Sequence, residues 1–234
     1  MKNNILIEVV INNSVEDAIK VSKYPVDRIE LVNAVELNAL TPSIGCLTLI
    51  KEKIPNLKVV SMIRPRPGDF VYSDLEFECM VKDAINQINN GADGIVFGCL
   101  TNDKHININQ TKKLIDLAHK YGKEAVFHKG FDSTTDLFES AKTLVEFGID
   151  RILSNGNAKD SDLKDGTTVL AKLQEIYGNK VHFLLGGGIN DKTVADSLMI
   201  SHCKQIHLTA KTNNEKGYIC VDENVLDKVI KNIK

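Results

Sequence analysis

Short apolar runs alternate with longer stretches of helical period along the chain. ILIEVV (5–10) precedes S-V-E-D at Ser14, which reads as a capping box opening a helix. RIELV (28–32) leads through NAVELNAL to TPSIGCLTLIKEKI, where Pro42 suits the first turn of a helix. KVVSMI (58–63) leads through a proline-rich loop to SDLEFECMVKDAINQINNG, a second capping box with Gly91 as its stop. GIVFG (94–98) precedes a helix near 109–121, and EAVFH (124–128) precedes TTDLFESAKTLVEFG. In that last stretch Leu137, Ala141, Leu144, Val145 and Phe147 form a mainly apolar stripe. RILSN (151–155) precedes a helix near 166–177, VHFLLGGG (181–188) precedes NDKTVADSLMI, and QIHLTA (205–210) is followed by a polar loop and ENVLDKVIKNI.

These are eight strand–helix units within 234 residues, with no linker-like composition between them. The count is that of one closed (β/α)8 TIM barrel, a single domain spanning 1–234. An open doubly wound sheet would place G-x-G-x-x-G after the first strand, and this chain has none there.

Composition narrows the partners. A net charge of −2 gives no broad basic field, which argues against nucleic acid and anionic lipid. The apolar run Ile5 to Ile11 is too short for a membrane span or a signal peptide, so a cytoplasmic protein is expected. Cys46, Cys79, Cys99, Cys203 and Cys220 are scattered, with no C-x-x-C pair, which predicts reduced thiols.

In such a barrel the C-terminal strand ends carry the functional face. Here they present Glu8, Glu30, Arg64 and Arg66, His128, Ser154, Gly187 and His207. Glu30 shares strand parity with Arg28, and Arg64 with Met62, so each can face the lumen. Two readings follow: a salt-bridge network that plugs the barrel, or a site for a small anionic molecule. Proline after each of Arg64 and Arg66 favours extended geometry. Arg64 is therefore expected in the mouth beside Glu8, Glu30 and His128, with Arg66 and Asp69 lining the entrance. LGGGIND (185–191) offers the amides of Gly187 and Gly188 at a helix start capped by Asn190, a place where anions bind. The loop RILSNGN adds Ser154 and Gly156. His128 and His207 titrate near neutrality and are the acid/base candidates. Lys129, one residue on, is expected to point away from the lumen. The candidate catalytic set is thus Glu8, Glu30, Arg64, His128 and His207. Arg66, Asp69, Asp132, Ser154, Gly156, Gly187 and Gly188 are candidates for ligand binding.

The motifs DRIEL (27–31), LTPS (40–43), MIRPRPGDFVYSD (62–74), GADGIVFGCL (91–100), FHKGFD (127–132), GIDRILSNG (148–156), GGGI (186–189) and IHLTA (206–210) occur in an order that resembles the copper homeostasis protein CutC family. The resemblance implies a (β/α)8 barrel, cytoplasmic copper handling with copper as ligand, and a homo-oligomer, dimer or higher. Leu37, Leu40 and Ile44 are candidates for the self-association surface. Two departures stand out: Val32 replaces a family cysteine, and Asn38-Ala39 replaces a Gly-Gly. Cu(I) selects thiolate and thioether ligands. Cys99 is the candidate metal ligand, with Cys46 and Met62 as further soft donors. The other matched positions suit a small phosphorylated or carboxylated metabolite, handled by acid/base chemistry without a cofactor.

Overall fold

A computed structural model describes residues 5–158 and 163–233. Eight parallel strands close into a barrel in chain order, with the last pairing to the first. They are β1 (Leu6–Asn12), β2 (Arg28–Val32), β3 (Lys58–Met62), β4 (Gly94–Phe97), β5 (Glu124–Phe127), β6 (Arg151–Ser154), β7 (His182–Gly186) and β8 (Gln205–Leu208). Helices α1 (Val15–Val21), α2 (Ile44–Lys53), α3 (Asp74–Asn89), α4 (Ile108–Lys120), α5 (Leu137–Glu146), α6 (Leu163–Tyr177), α7 (Val194–Ser201) and α8 (Glu223–Asn232) follow in turn. The fold is the (β/α)8 barrel that the pattern predicts. Ser73 and Glu76 complete the expected capping box of α3.

The segment expected as a polar loop after β8 is instead an antiparallel hairpin, β9 (Lys211–Asn213) with β10 (Ile219–Val221). Asn214 accepts from the amides of Lys216 and Tyr218, and Gly217 takes φ +80° to turn the chain. Strands of three residues leave too little alternation to read.

Buried apolar residues form two clusters. Ile7, Val9, Ile29, Leu31, Val59, Ile95, Phe97 and Phe127 point outward and join the inner faces of the helices. Burying such side chains contributes about 1.5–3 kcal/mol each, which fixes strand register against the helix layer. The opposite parity gives a small lumenal cluster of Val32, Val60, Met62, Val96 and Val126, mainly from β3, β4 and β5. On β1, β2 and β8 the lumenal positions also include the polar residues Glu8, Arg28, Glu30, Gln205 and His207. Among the described residues no helix is long and apolar enough to cross a membrane.

Candidate active site

Register brings the polar lumenal residues together. Glu8 lies level with Arg28 on one side and His207 on the other, and Val10 lies level with Glu30. The Glu8 carboxylate accepts from Arg28 Nε and from His207 Nδ1, the latter at 2.7 Å. Arg28 also donates to Gln205 at 2.6 Å. Across the ring, His207 Nε2 stands 3.6 Å from a Glu30 oxygen, while the other Glu30 oxygen is buried with no partner among the described residues. The plug reading therefore holds for Glu8 and Arg28 and stops at Glu30. Arg28 and Gln205 complete the network without being among the expected site residues, although parity with Glu30 marks Arg28.

Burial acts on both carboxyls, and their neighbours separate them. For Glu8 it raises the pKa, but the His207 hydrogen bond and the charges of Arg28, His207 and Arg151 outweigh it and hold the group down to about 2. Glu30 has no such bond. Burial pushes it up to about 7, helped by the Glu8 charge and opposed by His207 and Arg28. His207 is lowered by burial, yet its bond to Glu8 and the charges of Glu30 and Glu8 raise it on balance. Glu30 thus titrates near neutral pH beside an imidazole whose protonated form its neighbours favour, an arrangement suited to general acid/base work.

Both face a cavity of about 510 Å³ at the mouth, lined also by Met62, Arg64, Phe70, His128, Lys129 and Lys211. His128 is buried, and its Nδ1 accepts from the Gly130 amide at 2.9 Å. That bond leaves the ring hydrogen on Nε2, which has no partner among the described residues. Burial and then the Arg64 charge lower His128 to about 3, so the ring stays neutral. Its place depends on two glycines. A Cβ on Gly98 would overlap the imidazole, and one on Gly130 would come within 2.7 Å of it. Phe70 packs on the ring at 4.6 Å between centroids. The roles of Phe70, Gly98 and Gly130 are not legible in the chain, because nothing in one sequence marks a glycine as making room for a distant ring.

Arg64 lines the cavity with Glu30 and His128, but it pairs with no carboxylate among the described residues. Its Nη1 donates to the carbonyls of Leu37, Asn38 and Ala39, and its Nη2 to that of Gly68 at 2.7 Å. These bonds clamp two loops, while Nε of Arg64 is buried with no partner among the described residues. Arg66 and Asp69 do not line the entrance. Arg66 turns outward to Glu76, Asp69 and the Val71 carbonyl, because the extended geometry ends at the turn around Gly68.

Lys129 does reach the mouth, against expectation. β5 ends at Phe127, and residues 129–133 form a 3-10 turn, so pleat parity no longer applies. Its Nζ pairs with Asp132 at 2.8 Å and lies 2.8 Å from where a Cβ on Gly187 would stand. Asp132 accepts from Ser154 Oγ and from the amides of Asn155 and Asn157. Ser154 in turn accepts from the Gly156 amide, and Gly156 packs against Gly166 of α6. These three shape the loop after β6 from below, outside the cavity. Gly187 and Gly188 take φ +96° and +86°, and Asn190 accepts from Lys192 and Thr193 ahead of α7. Neither glycine lines the cavity.

Cys99 faces outward into the helix-side core, where burial pushes its thiol far up. It is corrected from candidate ligand to core residue. No cysteine among the described residues lines the cavity, and Val32 lies in the lumenal apolar cluster. Glu8, Glu30 and His207 bring potential ligand atoms within 4.8 Å of one another. These donors are oxygen and nitrogen alone, with no thiolate or thioether among them. The residues do not fit a Cu(I) site.

A closed eight-stranded barrel with ionisable groups at its strand C-terminal ends defines the class: a (β/α)8-barrel protein with a candidate site at its mouth. The model of the CutC family matches residues 5–212, and the chain belongs to that family. A CutC family protein of Vibrio vulnificus (strain YJ016) is 37% identical over 185 residues, covering 79% of this chain and 73% of the relative. The human copper homeostasis protein cutC homolog is 34% identical over 215 residues, covering 92% and 77%. The crystal structure of CutC from Streptococcus agalactiae superposes with a TM-score of 0.80 at 29% identity, over 87% of this chain and 97% of that one. A 3-hexulose-6-phosphate synthase, with TM-score 0.66 at 16% identity over 98% of this chain and 100% of that one, shares the fold alone.

Proposed function

We propose that the mouth binds a small organic anion and moves a proton on it through acid/base chemistry of its own side chains. One observation carries this reading: Glu30 and His207 stand 3.6 Å apart at the cavity wall, with a Glu30 oxygen unpartnered among the described residues. Glu8 orients His207 from behind, so the proton-exchanging atoms face the ligand. Arg64 and Lys211, which pair with no carboxylate among the described residues, give the mouth positive charge, which supports an anionic ligand with a carboxylate or phosphate group. Native mass spectrometry against a set of small carboxylates and phosphomonoesters tests it. One bound anion per chain is expected, with turnover lost and binding kept in Glu30→Gln. Failure to bind any of them overturns the reading.

Copper as cargo is the second reading, and the names of the human and mouse relatives favour it. The Glu8, Glu30 and His207 cluster is the place among the described residues where it would bind. The cytoplasm suits five free thiols. A homo-oligomer is supported by exposed Leu37 beside half-buried Leu40 and Ile44, and a monomer by light scattering would remove it.

A further inference from the structure

His128 has no role in the proton exchange just described, yet it is held with more care than a core residue needs. Two glycines clear space for its ring, Phe70 covers one face, and the Gly130 amide fixes its tautomer. The result is a single N–H donor, buried and without a partner among the described residues, on the wall of the cavity that Glu30 and His207 share. Leaving a buried donor unpaired is costly, so a partner belongs there when the site is in use.

We infer that the Nε2–H of His128 receives the carbonyl oxygen of the substrate, and that the substrate class is a small carbonyl compound, a 2-oxo acid or ketose phosphate, with a C–H bond next to that carbonyl. The inference rests on the proton-transfer reading of Glu30. A neutral donor is matched to an oxygen whose charge grows during reaction, and it releases that oxygen when the charge is gone. An ion already formed is served by the cationic rim. Burial and the Arg64 charge keep the ring neutral across the working range of pH.

The step balances without a co-reactant. The C–H bond breaks and its proton passes to a Glu30 carboxylate oxygen. The bonding pair becomes the C=C bond of an enolate, and the carbonyl π pair moves onto the oxygen held by His128. Return of the proton from Glu30 to the face it left restores the carbonyl, and exchange of that proton with solvent before its return labels the carbon.

The test follows exchange of the C–H hydrogen in deuterium oxide, with pyruvate, 2-oxobutyrate, dihydroxyacetone phosphate and ribulose 5-phosphate as probes. The full chain is expected to accelerate exchange in at least one, His128→Asn to lose about 10²–10³-fold, and Glu30→Gln to abolish it. If Glu30→Gln abolishes exchange while His128→Asn and His128→Gln keep the wild-type rate, this inference fails and the proton-transfer reading stands. Exchange in none of the probes overturns the inference as well. Should the His128 variants not fold, nitrogen NMR of the wild-type protein decides. Saturating oxalate, a planar enolate mimic, is expected to shift the His128 Nε2–H signal, and a signal on Nδ1 or one that oxalate leaves unmoved overturns the inference.

Discussion

Arg64 donates to the carbonyl of Asn38 at 2.7 Å and so holds a loop that its own backbone resists. Ala34, Asn38 and Ala39 all take left-handed φ, at +50°, +63° and +68°. That bend turns the carbonyls of Leu37, Asn38 and Ala39 toward one guanidinium, which also ties down Gly68 on the neighbouring loop. The family resemblance places Gly-Gly at 38–39. This chain keeps the glycine geometry with residues that carry a Cβ.

Ala39→Gly is therefore expected to stabilise the protein. The left-handed region costs an alanine about 1–2 kcal/mol, and glycine returns part of that as unfolded-state entropy. A net gain of about 0.5–1 kcal/mol should raise Tm by about 2 °C. Asn38→Gly should gain less, because asparagine tolerates this region. A lower Tm for Ala39→Gly would show that the Cβ packing at the cavity roof outweighs the strain.

Stability against pH should carry two opposed slopes. Glu30 is raised to about 7 in the fold, so its contribution is full below the ordinary carboxyl pKa near 4.5 and is lost as pH rises through 7. His128 is lowered to about 3, so its contribution is full above 6.5 and is lost as pH falls toward 3. Each slope is about 1.4 kcal/mol per pH unit, and between 4.5 and 6.5 they cancel. Glu30→Gln removes one of them, and urea unfolding of that variant should weaken steadily from pH 6.5 to 4.5. A flat profile in the variant would mean that His128 is not buried neutral.

The alternation of apolar runs and helical stretches made the barrel legible, because register and strand parity follow from which residues are apolar. The same parity placed Glu8, Glu30 and His207 toward one lumen, whether or not they act together, and it carried just past the strand ends to Arg64 and His128. What failed lay further along those loops. Lys129 and Arg66 follow the last paired residue of their strands, and there loop geometry alone decides direction. Partners were also misjudged where the backbone supplies them, as the four carbonyls around Arg64 show. Gly98 and Gly130 act through space they leave empty, which no local pattern records.

Gly98→Ala is expected to displace His128, since the new methyl would occupy part of the imidazole's volume. Overpacking of this kind costs typically about 1–3 kcal/mol. The shift should be visible as loss of the Nε2–H tautomer in nitrogen NMR. Gly122→Ala serves as comparison, because a Cβ there meets nothing within 4 Å although φ is +65°. It should cost only its backbone strain and leave the His128 signal alone. Equal His128 spectra for the two variants would refute the space-making role of Gly98.

Cu(I) titrated against a competing chelator should reveal no tight stoichiometric site. The cavity offers one thioether, Met62, and no thiol among the described residues, while Cys99 and Cys203 are sealed in the core. A soft ion has nothing there to displace its chelator. One equivalent bound tightly and lost in Cys99→Ala would restore the metal reading and require the core around β4 to open.

Glu8→Gln tests the network behind the site. The carboxylate balances Arg28, which is 4% exposed and whose other side-chain hydrogen bond is to the neutral Gln205. The amide would leave that buried guanidinium without its paired charge, with only Glu30 to offset it in part, a loss of up to about 3–5 kcal/mol by analogy with broken buried pairs. The one amide oxygen can accept from Arg28 or from His207 Nδ1 but cannot replace both carboxylate oxygens, and it brings His207 no negative charge. Burial already lowers its pKa, and the bond to Glu8 does most to raise it, so the pKa should fall in the variant. The two effects separate by experiment. Thermal unfolding reads the first, and the pH midpoint of the His207 NMR signal reads the second. Adding Arg28→Met to Glu8→Gln should recover part of the stability and a smaller part of the His207 shift, because the Arg28 charge lowers that pKa. If Glu8→Gln unfolds within about 1 kcal/mol of wild type, solvent reaches Arg28 and the lumenal network is not what holds β1 against β2.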